Sequence, residues 1–122
     1  MSATREVAAA LRDRLSDELR VVGAHDGTDW HVEYMREDVQ EDYGADSIDH
    51  IAGDLALEVV SSARQETLYE LGDLRAQVRL FEDGFVVHVP VEDRSGYLVS
   101  MDDGADVRGR EVVELVRELD AE

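Results

Sequence analysis

Four histidines are the side chains best suited to acid–base chemistry near neutral pH. They stand at His25, His31, His50 and His88. His25 and His31 flank the turn-forming segment that contains Asp26, so two imidazoles and a carboxylate could hold a divalent metal ion. Turns attract histidine and aspartate for local hydrogen bonding in any protein, and this chain has 30 acidic residues. We therefore interpret the cluster as a surface turn and expect no metal site.

The other two histidines favour no catalytic role. We expect His88 on the less apolar face of a strand, opposite Arg79, where a protonated ring would meet a like charge. A neutral, packed imidazole is predicted there. His50 lies near the start of a predicted helix, where the helix dipole disfavours a cation, and we expect it to be neutral and exposed.

Nucleophilic catalysis needs a hydroxyl or thiol, a base and an orienting acid. The chain has no cysteine, and none of its serines lies in a Gly-x-Ser-x-Gly turn. Its glycines form neither a Gly-x-Gly-x-x-Gly nor a Walker-type phosphate loop. Pairs of carboxylates are inevitable by chance among so many acids. The sequence therefore predicts no catalytic residue, no cofactor-binding residue and no enzyme activity.

The charge of the chain argues against two classes of partner. Its 122 residues include 30 acidic and 12 basic residues, every one of the latter an arginine, for a formal charge of −18. This charge repels nucleic acid and anionic membranes, and the arginines form no basic run. The lysine-free, aspartate-rich composition resembles that of cytosolic proteins from salt-accumulating archaea, since molar salt shortens the Debye length to about 3 Å. We expect a halophilic protein that loses structure in dilute buffer.

No segment predicts export or membrane insertion. The first residues pass directly into an amphipathic pattern, without the apolar core and cleavage site of a signal peptide. The longest apolar stretches, near Val7–Leu11 and Phe85–Val91, fall short of the roughly 20 residues that span a bilayer. We expect a soluble, cytoplasmic protein in which residues 1–122 form one globular domain.

The periodicity of the first half predicts a helix, a hairpin, a connector and a second helix. Leucines every four residues indicate a helix from Ala3 to Arg20. Alternating residues on both sides of a turn indicate a hairpin that ends near Met35. The acidic segment Arg36–Asp46 is expected to be a solvated connector.

The second helix is predicted to begin at Asp46 or Ser47 and to continue through Leu71, because its apolar residues recur at helical spacing. Gly72 can supply the left-handed residue that ends it. Whether Ser61-Ser62 divides this stretch into two helices stays open.

The most regular alternation lies between Leu74 and Glu82, and it predicts a strand with one apolar face. Asp83-Gly84 is the preferred pair for a two-residue type I′ turn, which would place Phe81 opposite Val86. With this register, the apolar face of the hairpin contains Ala76, Val78, Leu80, Phe85, Val87, Val89 and Val91, and Phe81 and Val86 lie on the other face. A further strand near Tyr97–Met101 and a last helix from about Val107 to Asp120 complete the chain.

The element order α-β-β-α-β-β-β-α predicts an α/β protein of the α+β type, with a five-stranded, mainly antiparallel sheet and three helices. This order is similar to that of the roadblock (dynein light chain-like) family. The resemblance extends from Leu11 to Leu119 and includes Val21-Val22-Gly23-Ala24 and the hairpin at residues 81–87. The acidic connector and Trp30 depart from the pattern of the family, and profilin-like sensor folds share much of the same layout.

The roadblock resemblance implies a non-enzymatic, cytoplasmic interaction or regulatory module that forms a homodimer and binds a protein partner such as a small GTPase. In that family the strand equivalent to Leu74–Glu82 lies at the sheet edge and pairs with its copy. The interface residues are then Arg75, Gln77, Arg79 and Phe81. The alternative is a monomer in which helices on both sides bury Phe81 and Val86.

A second hypothesis is a small-molecule-binding sensor domain of profilin-like fold. Its pocket would lie between the sheet and a helix, near Trp30, Tyr34 and Tyr97. These rings could stack on a ligand or simply fill the core. The sequence identifies neither the ligand nor the protein partner.

Overall fold

The computed structural model describes residues 2–26, 29–42, 50–51, 54, 64–92 and 95–121. In chain order its elements are α1 (Ser2–Leu15), β1 (Leu19–Asp26), β2 (Asp29–Met35), α2 (Glu37–Asp42), α3, which includes residues 64–69, β3 (Gln77–Leu80), β4 (Gly84–Glu92), β5 (Ser95–Asp102) and α4 (Gly109–Ala121). The predicted α+β class and five-stranded sheet are confirmed, and α2 is an additional helix. Within the described ranges, no helix is long and apolar enough to cross a membrane.

The strands form one antiparallel sheet in the order β2-β1-β5-β4-β3. Helices α1 and α4 pack together on one face of it, where their apolar stripes meet the inward residues of β1, β4 and β5. The fully buried residues of this core include Val7, Leu11, Leu19, Val22, Val87, Val89, Val99, Met101, Val112 and Val116. β3 lies at one end of the sheet, so the predicted edge position of this strand is confirmed.

Helix α1 ends earlier than the leucine spacing predicts. The pattern extends to Arg20, but α1 stops at Leu15 and a 3-10 turn, Ser16–Glu18, follows. Ser16 has a positive φ of 51°, and this left-handed conformation interrupts the helical repeat. Leu19 therefore begins β1 and is fully buried there.

The first half of the predicted solvated connector Arg36–Asp46 is exposed at Glu37, Asp38, Gln40 and Glu41, as predicted, but it forms a helix. Residues Glu37–Asp42 form α2, and the side chain of Val39 in this helix is fully buried. The amides of Val39 and Gln40 both donate to the carbonyl oxygen of Arg36 at 3.0 Å. Residues 43–46 lie outside the described residues.

Part of the predicted middle helix falls within the described residues. Residues 50, 51, 54 and 64–69 are helical, whereas the predicted start at Asp46 or Ser47 and the Ser61-Ser62 pair lie outside the described ranges. Helix α3 ends before Leu71, because Glu70 already has a positive φ of 54°. Gly72 is left-handed, as predicted, with a φ of 89°.

β3 and β4 pair in a register that differs from the predicted one by two residues. A turn at Asp83-Gly84 would place Phe81 opposite Val86, but Arg79 lies opposite Val86, and the amide of Phe81 donates to the carbonyl oxygen of Gly84 at 2.8 Å. The turn is therefore one residue earlier. A Cβ on Gly84 would lie 2.5 Å from a carbonyl oxygen of β5, so this glycine is needed inside β4. Because the shift is even, every side chain keeps its predicted face.

Candidate functional surface

The end strand β3 exposes large apolar side chains. Val78 is 46% exposed, Leu80 80% and Phe81 59%. Helix α4 approaches the strand at Val78, where a Cβ added to Gly109 would lie 2.8 Å from a methyl carbon of the valine. Leu80 projects on the same face and is left uncovered, while Phe81 projects on the other. The end of the sheet therefore presents apolar surface on both faces.

The four residues predicted at a dimer interface lie on β3 or next to it. The strand spans Gln77–Leu80 and is shorter than the predicted Leu74–Glu82. Gln77, Arg79 and Phe81 project from the face opposite α1 and α4, because Val78 between them pairs with a buried valine of β4. Arg75 precedes the strand and is exposed. That these residues contact a second copy stays a prediction.

The segment that contains β3 carries positive charge in an acidic chain. Residues 74–81 contain two arginines and no acidic residue, whereas the whole chain has a formal charge of −18. Arg79 donates from Nη1 to Oδ2 of Asp54 at 3.0 Å. The edge therefore repels another acidic surface less than the acidic helices do.

Hydrogen bonds position the segment that leads into β3. Arg117 of α4 donates from Nη2 to the carbonyl oxygen of Arg75 at 3.0 Å and to that of Pro90 at 2.9 Å. The amide of Leu74 donates to Oε2 of Glu66 in α3 at 2.6 Å. The entry to the edge strand is thus fixed from both α3 and α4.

The backbone of β3 can accept a further strand. The amide of Phe81 bonds inward to β4, and antiparallel pairing alternates inward and outward residues along a strand. The amide and carbonyl groups of Val78 and Leu80 therefore point away from β4. Outward groups of this kind are a template for strand addition.

Two of the histidines meet in the middle of the sheet, on the face opposite α1 and α4. The Nε2 atoms of His25 and His88 lie 2.9 Å apart, and the residues are 6% and 4% exposed. Gly96 of β5 lies between them, and a Cβ there would be 2.9 Å from Nε2 of His25. Burial, with smaller effects of His25 and Arg79, lowers the pKa of His88 to about 4. The predicted packed position of His88 is confirmed and its lowered pKa favours the neutral ring, but its cross-strand neighbour is Gln77 instead of Arg79.

The remaining histidines are not gathered around them. His31 is exposed and lies 2.8 Å from Oε2 of Glu33, and His50 is exposed, as predicted. Asp26 accepts a hydrogen bond from Ser95 at 3.1 Å. Within the described part of the chain, no three histidine, cysteine or acidic side chains are placed to hold a metal ion.

The three aromatic residues of the ligand-pocket hypothesis lie in three different environments. Trp30 lines a cavity of about 790 Å³ on the sheet face opposite α1 and α4, where His50 and Ile51 also lie. The guanidinium carbon of Arg12 lies 4.8 Å from the centre of the Tyr34 ring, and Tyr34 lines a second cavity of about 350 Å³. Tyr97 is in the core and is treated below. Of these three aromatic residues, Trp30 alone is among the described residues that line the larger cavity.

Tyr97 is a structural residue of the main core. It is 4% exposed, and its hydroxyl donates to Oδ1 of Asp120 in α4 at 2.8 Å. Burial, followed by the contact with Asp120, raises the pKa of the phenol to about 12. The side chain therefore links β5 to α4 and does not face the larger cavity.

Sequence reasoning missed an ionic cluster at the other end of β5. Arg36 donates from Nη1 to Oδ2 of Asp102 at 2.7 Å and from Nε to Oδ1 of Asp38 at 2.6 Å. Arg20 also contacts Asp102, at 3.4 Å. These contacts raise the pKa of Arg36 and lower the pKa of Asp38 and Asp102. The cluster holds α2 against the sheet, and no local sequence pattern brings Asp102 to it.

The chain matches one protein family over most of its length. The match is to a domain of unknown function, DUF7522, at residues 5–120. No curated protein matches the chain.

Solved structures with the same fold include two bacterial MglB proteins and a roadblock/LC7 domain. The gliding protein MglB from Thermus thermophilus has a TM-score of 0.69 at 10% identity, with 97% of this chain and 88% of that chain covered. MglB from Myxococcus xanthus has a TM-score of 0.67 at 13% identity, covering 98% and 89%. The roadblock/LC7 domain from Streptomyces avermitilis has a TM-score of 0.60 at 20% identity, covering 96% and 94%. At these identities the similarity establishes a roadblock-like fold.

Proposed function

Because the chain belongs to the DUF7522 family and has a roadblock-like fold, we propose that it is a non-enzymatic protein-interaction or regulatory module. It works in the cytoplasm of a halophile, as a homodimer joined along β3. Its partner is another protein, of which a small GTPase is the proposed class. Neither nucleic acid nor a membrane is expected to bind it.

The observation that carries this proposal is the exposed apolar edge of the sheet. A strand that presents Leu80 and Phe81 to water, with its backbone groups directed outward, is an aggregation hazard unless another chain covers it. Residues 74–81 contain two arginines and no acidic residue, in a chain whose formal charge is −18. One MglB structure of the same fold is described as having a tetrameric arrangement, with a TM-score of 0.67 at 10% identity.

Sedimentation equilibrium in molar KCl tests the homodimer. We expect twice the mass of one chain for the wild type, and a single-chain mass for Leu80→Glu, because a carboxylate at the seam opposes strand pairing. Ala9→Glu is the matched control, since it adds the same charge at an exposed position of α1. A wild-type mass equal to one chain would refute the homodimer.

Binding to a small GTPase tests the partner class. The wild-type protein and Leu80→Glu are titrated with a purified small GTPase from the same cells, loaded with GDP or with a non-hydrolysable GTP analogue. Binding that depends on the nucleotide state supports a regulatory role. Equal affinity for both states would contradict it, because a ligand with no differential affinity cannot report a switch.

Dialysis tests the halophilic assignment. The acidic side chains should repel one another strongly when the Debye length grows from about 3 Å at molar salt to beyond about 10 Å below 0.1 M. We expect the circular dichroism spectrum to lose structure and the melting temperature to fall. An unchanged spectrum and melting temperature at about 50 mM salt would contradict the assignment.

The cavity beside Trp30 supports a second candidate, a small-molecule sensor domain. Its volume of about 790 Å³ lies within the range of ligand pockets, which is roughly 300–1,000 Å³. Melting shifts across a metabolite panel in molar salt test it, with Trp30→Phe against Tyr34→Phe as matched variants. A shift that Trp30→Phe alone reduces supports the sensor, and no shift from any metabolite contradicts it.

A further inference from the structure

The geometry of β3 limits how two copies can pair. This inference rests on the proposed homodimer. A two-fold axis perpendicular to the sheet keeps each face on its own side, so one residue of β3 must lie on the axis and face its own copy. The four positions Gln77, Val78, Arg79 and Leu80 define the four candidate registers.

The length of the strand disfavours two of the four registers. With the axis at Gln77 or Leu80, only that residue lies opposite a β3 residue of the second copy. The other three β3 residues then lie opposite segments outside β3. An axis at Val78 or Arg79 opposes three strand residues of each copy. The registers with the axis at Val78 or Arg79 therefore pair most of β3 with its copy.

Charge then distinguishes the two remaining registers. Arg79 donates to Asp54 within its own chain. An axis at Arg79 would still place this guanidinium directly opposite its copy, and like charges directly opposite each other destabilise a strand pair. An axis at Val78 places Gln77 opposite Arg79 of the second copy, where the amide oxygen can accept a hydrogen bond from the guanidinium. We infer that two copies of this chain pair antiparallel along β3 with Val78 on the two-fold axis.

This register also agrees with the backbone and with the apolar residues. Val78 has outward backbone groups, so the two valines would exchange both of their hydrogen bonds. On the same face, Leu80, which is 80% exposed in the single chain, would lie opposite Ala76 of the second copy and be partly covered by it. On the other face, one step beyond the strand, Arg75 would lie opposite the ring of Phe81, a favourable cation–π pair.

Cysteine substitution on the native chain tests the register, because the chain contains no cysteine of its own. A hydrogen-bonded pair on the axis has Cα atoms about 5.5 Å apart, within the range that a disulfide spans. Positions one residue off the axis lie more than about 7 Å from their own copies and cannot be bridged. We expect Val78→Cys to form a covalent dimer under mild oxidation, and Gln77→Cys, Arg79→Cys and Leu80→Cys to stay uncrosslinked.

Charge changes at Gln77 give an independent readout, the dissociation constant measured by sedimentation in molar KCl. With Val78 on the axis, Gln77→Glu faces Arg79 twice in the dimer and should tighten it by on the order of threefold in this screening salt, whereas Gln77→Lys should weaken it by a similar factor. With Gln77 on the axis both variants weaken the dimer. With Arg79 on the axis neither change acts through a charge pair, and with Leu80 on the axis the signs are reversed, because Gln77 then faces Asp83.

The outcomes separate this inference from the proposed function. A wild-type protein that is monomeric in molar salt overturns both. A dimer that crosslinks through Arg79→Cys or another scanned position, or through none of them, overturns the register and leaves the homodimer standing. A covalent Val78→Cys dimer together with opposite effects of Gln77→Glu and Gln77→Lys supports the register. Circular dichroism of each reduced variant checks that the fold is intact.

Discussion

The middle strands and the end strand β3 of the sheet carry the same kind of apolar residue, but these residues are buried in the middle and exposed at the end. Leu19 in β1 is fully buried and Leu80 in β3 is 80% exposed, although both project towards the side that carries α1 and α4. The difference lies in the helices, because α1 and α4 cover β1, β5 and β4, and α4 reaches β3 at Val78. Alternation in a strand therefore fixes the face of a side chain, while the position of the helices fixes its burial.

The largest expected effect comes from truncating the same residue in the two regions. Leu19→Ala should lower the free energy of unfolding by about 2–5 kcal/mol, because it leaves a cavity in a packed core. Leu80→Ala should change it by less than about 0.5 kcal/mol when the chain is monomeric. Urea denaturation in molar salt, at concentrations below the dissociation constant, measures both. Equal losses would show that the end of the sheet is covered within one chain.

We expect protonation of His88 to destabilise the middle of the sheet and to leave the end strand β3 unaffected. The pKa of His88 is lowered to about 4 in the folded chain, so between about pH 6.5 and this value the unfolded chain binds the proton more readily. The stability from the neutral imidazole is fully present above about pH 6.5 and is lost as the pH falls through this window, by up to about 3 kcal/mol. His88→Gln should flatten the pH dependence of unfolding between these limits. A variant with the wild-type slope would assign the slope to other groups.

A smaller effect is expected from adding one methyl group beside the histidine pair. The Cβ of Gly96→Ala would lie 2.7 Å from the carbonyl oxygen of Val89 and 2.9 Å from Nε2 of His25, and overpacking of this kind costs about 1–3 kcal/mol. Gly104→Ala is the matched control, because nothing lies within 4 Å of its added Cβ. Thermal unfolding of both variants in molar salt measures the difference. Similar melting temperatures would mean that the strands separate to admit the methyl group.

Hydrophobic periodicity was sufficient to predict most of the sheet, and the family resemblance predicted its edge. The alternation from residue 74 to residue 91 predicted β3, β4 and the face of each side chain, and an error of two residues in the register preserved those faces. The interface residues Gln77, Arg79 and Phe81 could be named from the same alternation together with the family resemblance. Their contact with a second copy is the part that the sequence leaves to experiment.

The sequence could not predict where distant elements meet. His25 and His88 are separated in the chain by 63 positions, and they meet because β5 inserts between β1 and β4 with Gly96 at the crossing point. The same applies to Trp30 and Tyr97, which local patterns placed near one pocket and which the fold separates onto opposite faces of the sheet.

The sequence by itself therefore determined the class of fold, the faces of the strands and the acidic character of the surface, since all of these depend on the order and spacing of neighbouring residues. Only the tertiary structure decided that α2 forms over a buried Val39, that two imidazoles share the middle of the sheet and that Leu80 stays exposed. The physical reason is that burial depends on which elements lie above a residue, and strand order and helix placement are set by contacts between residues far apart in the chain.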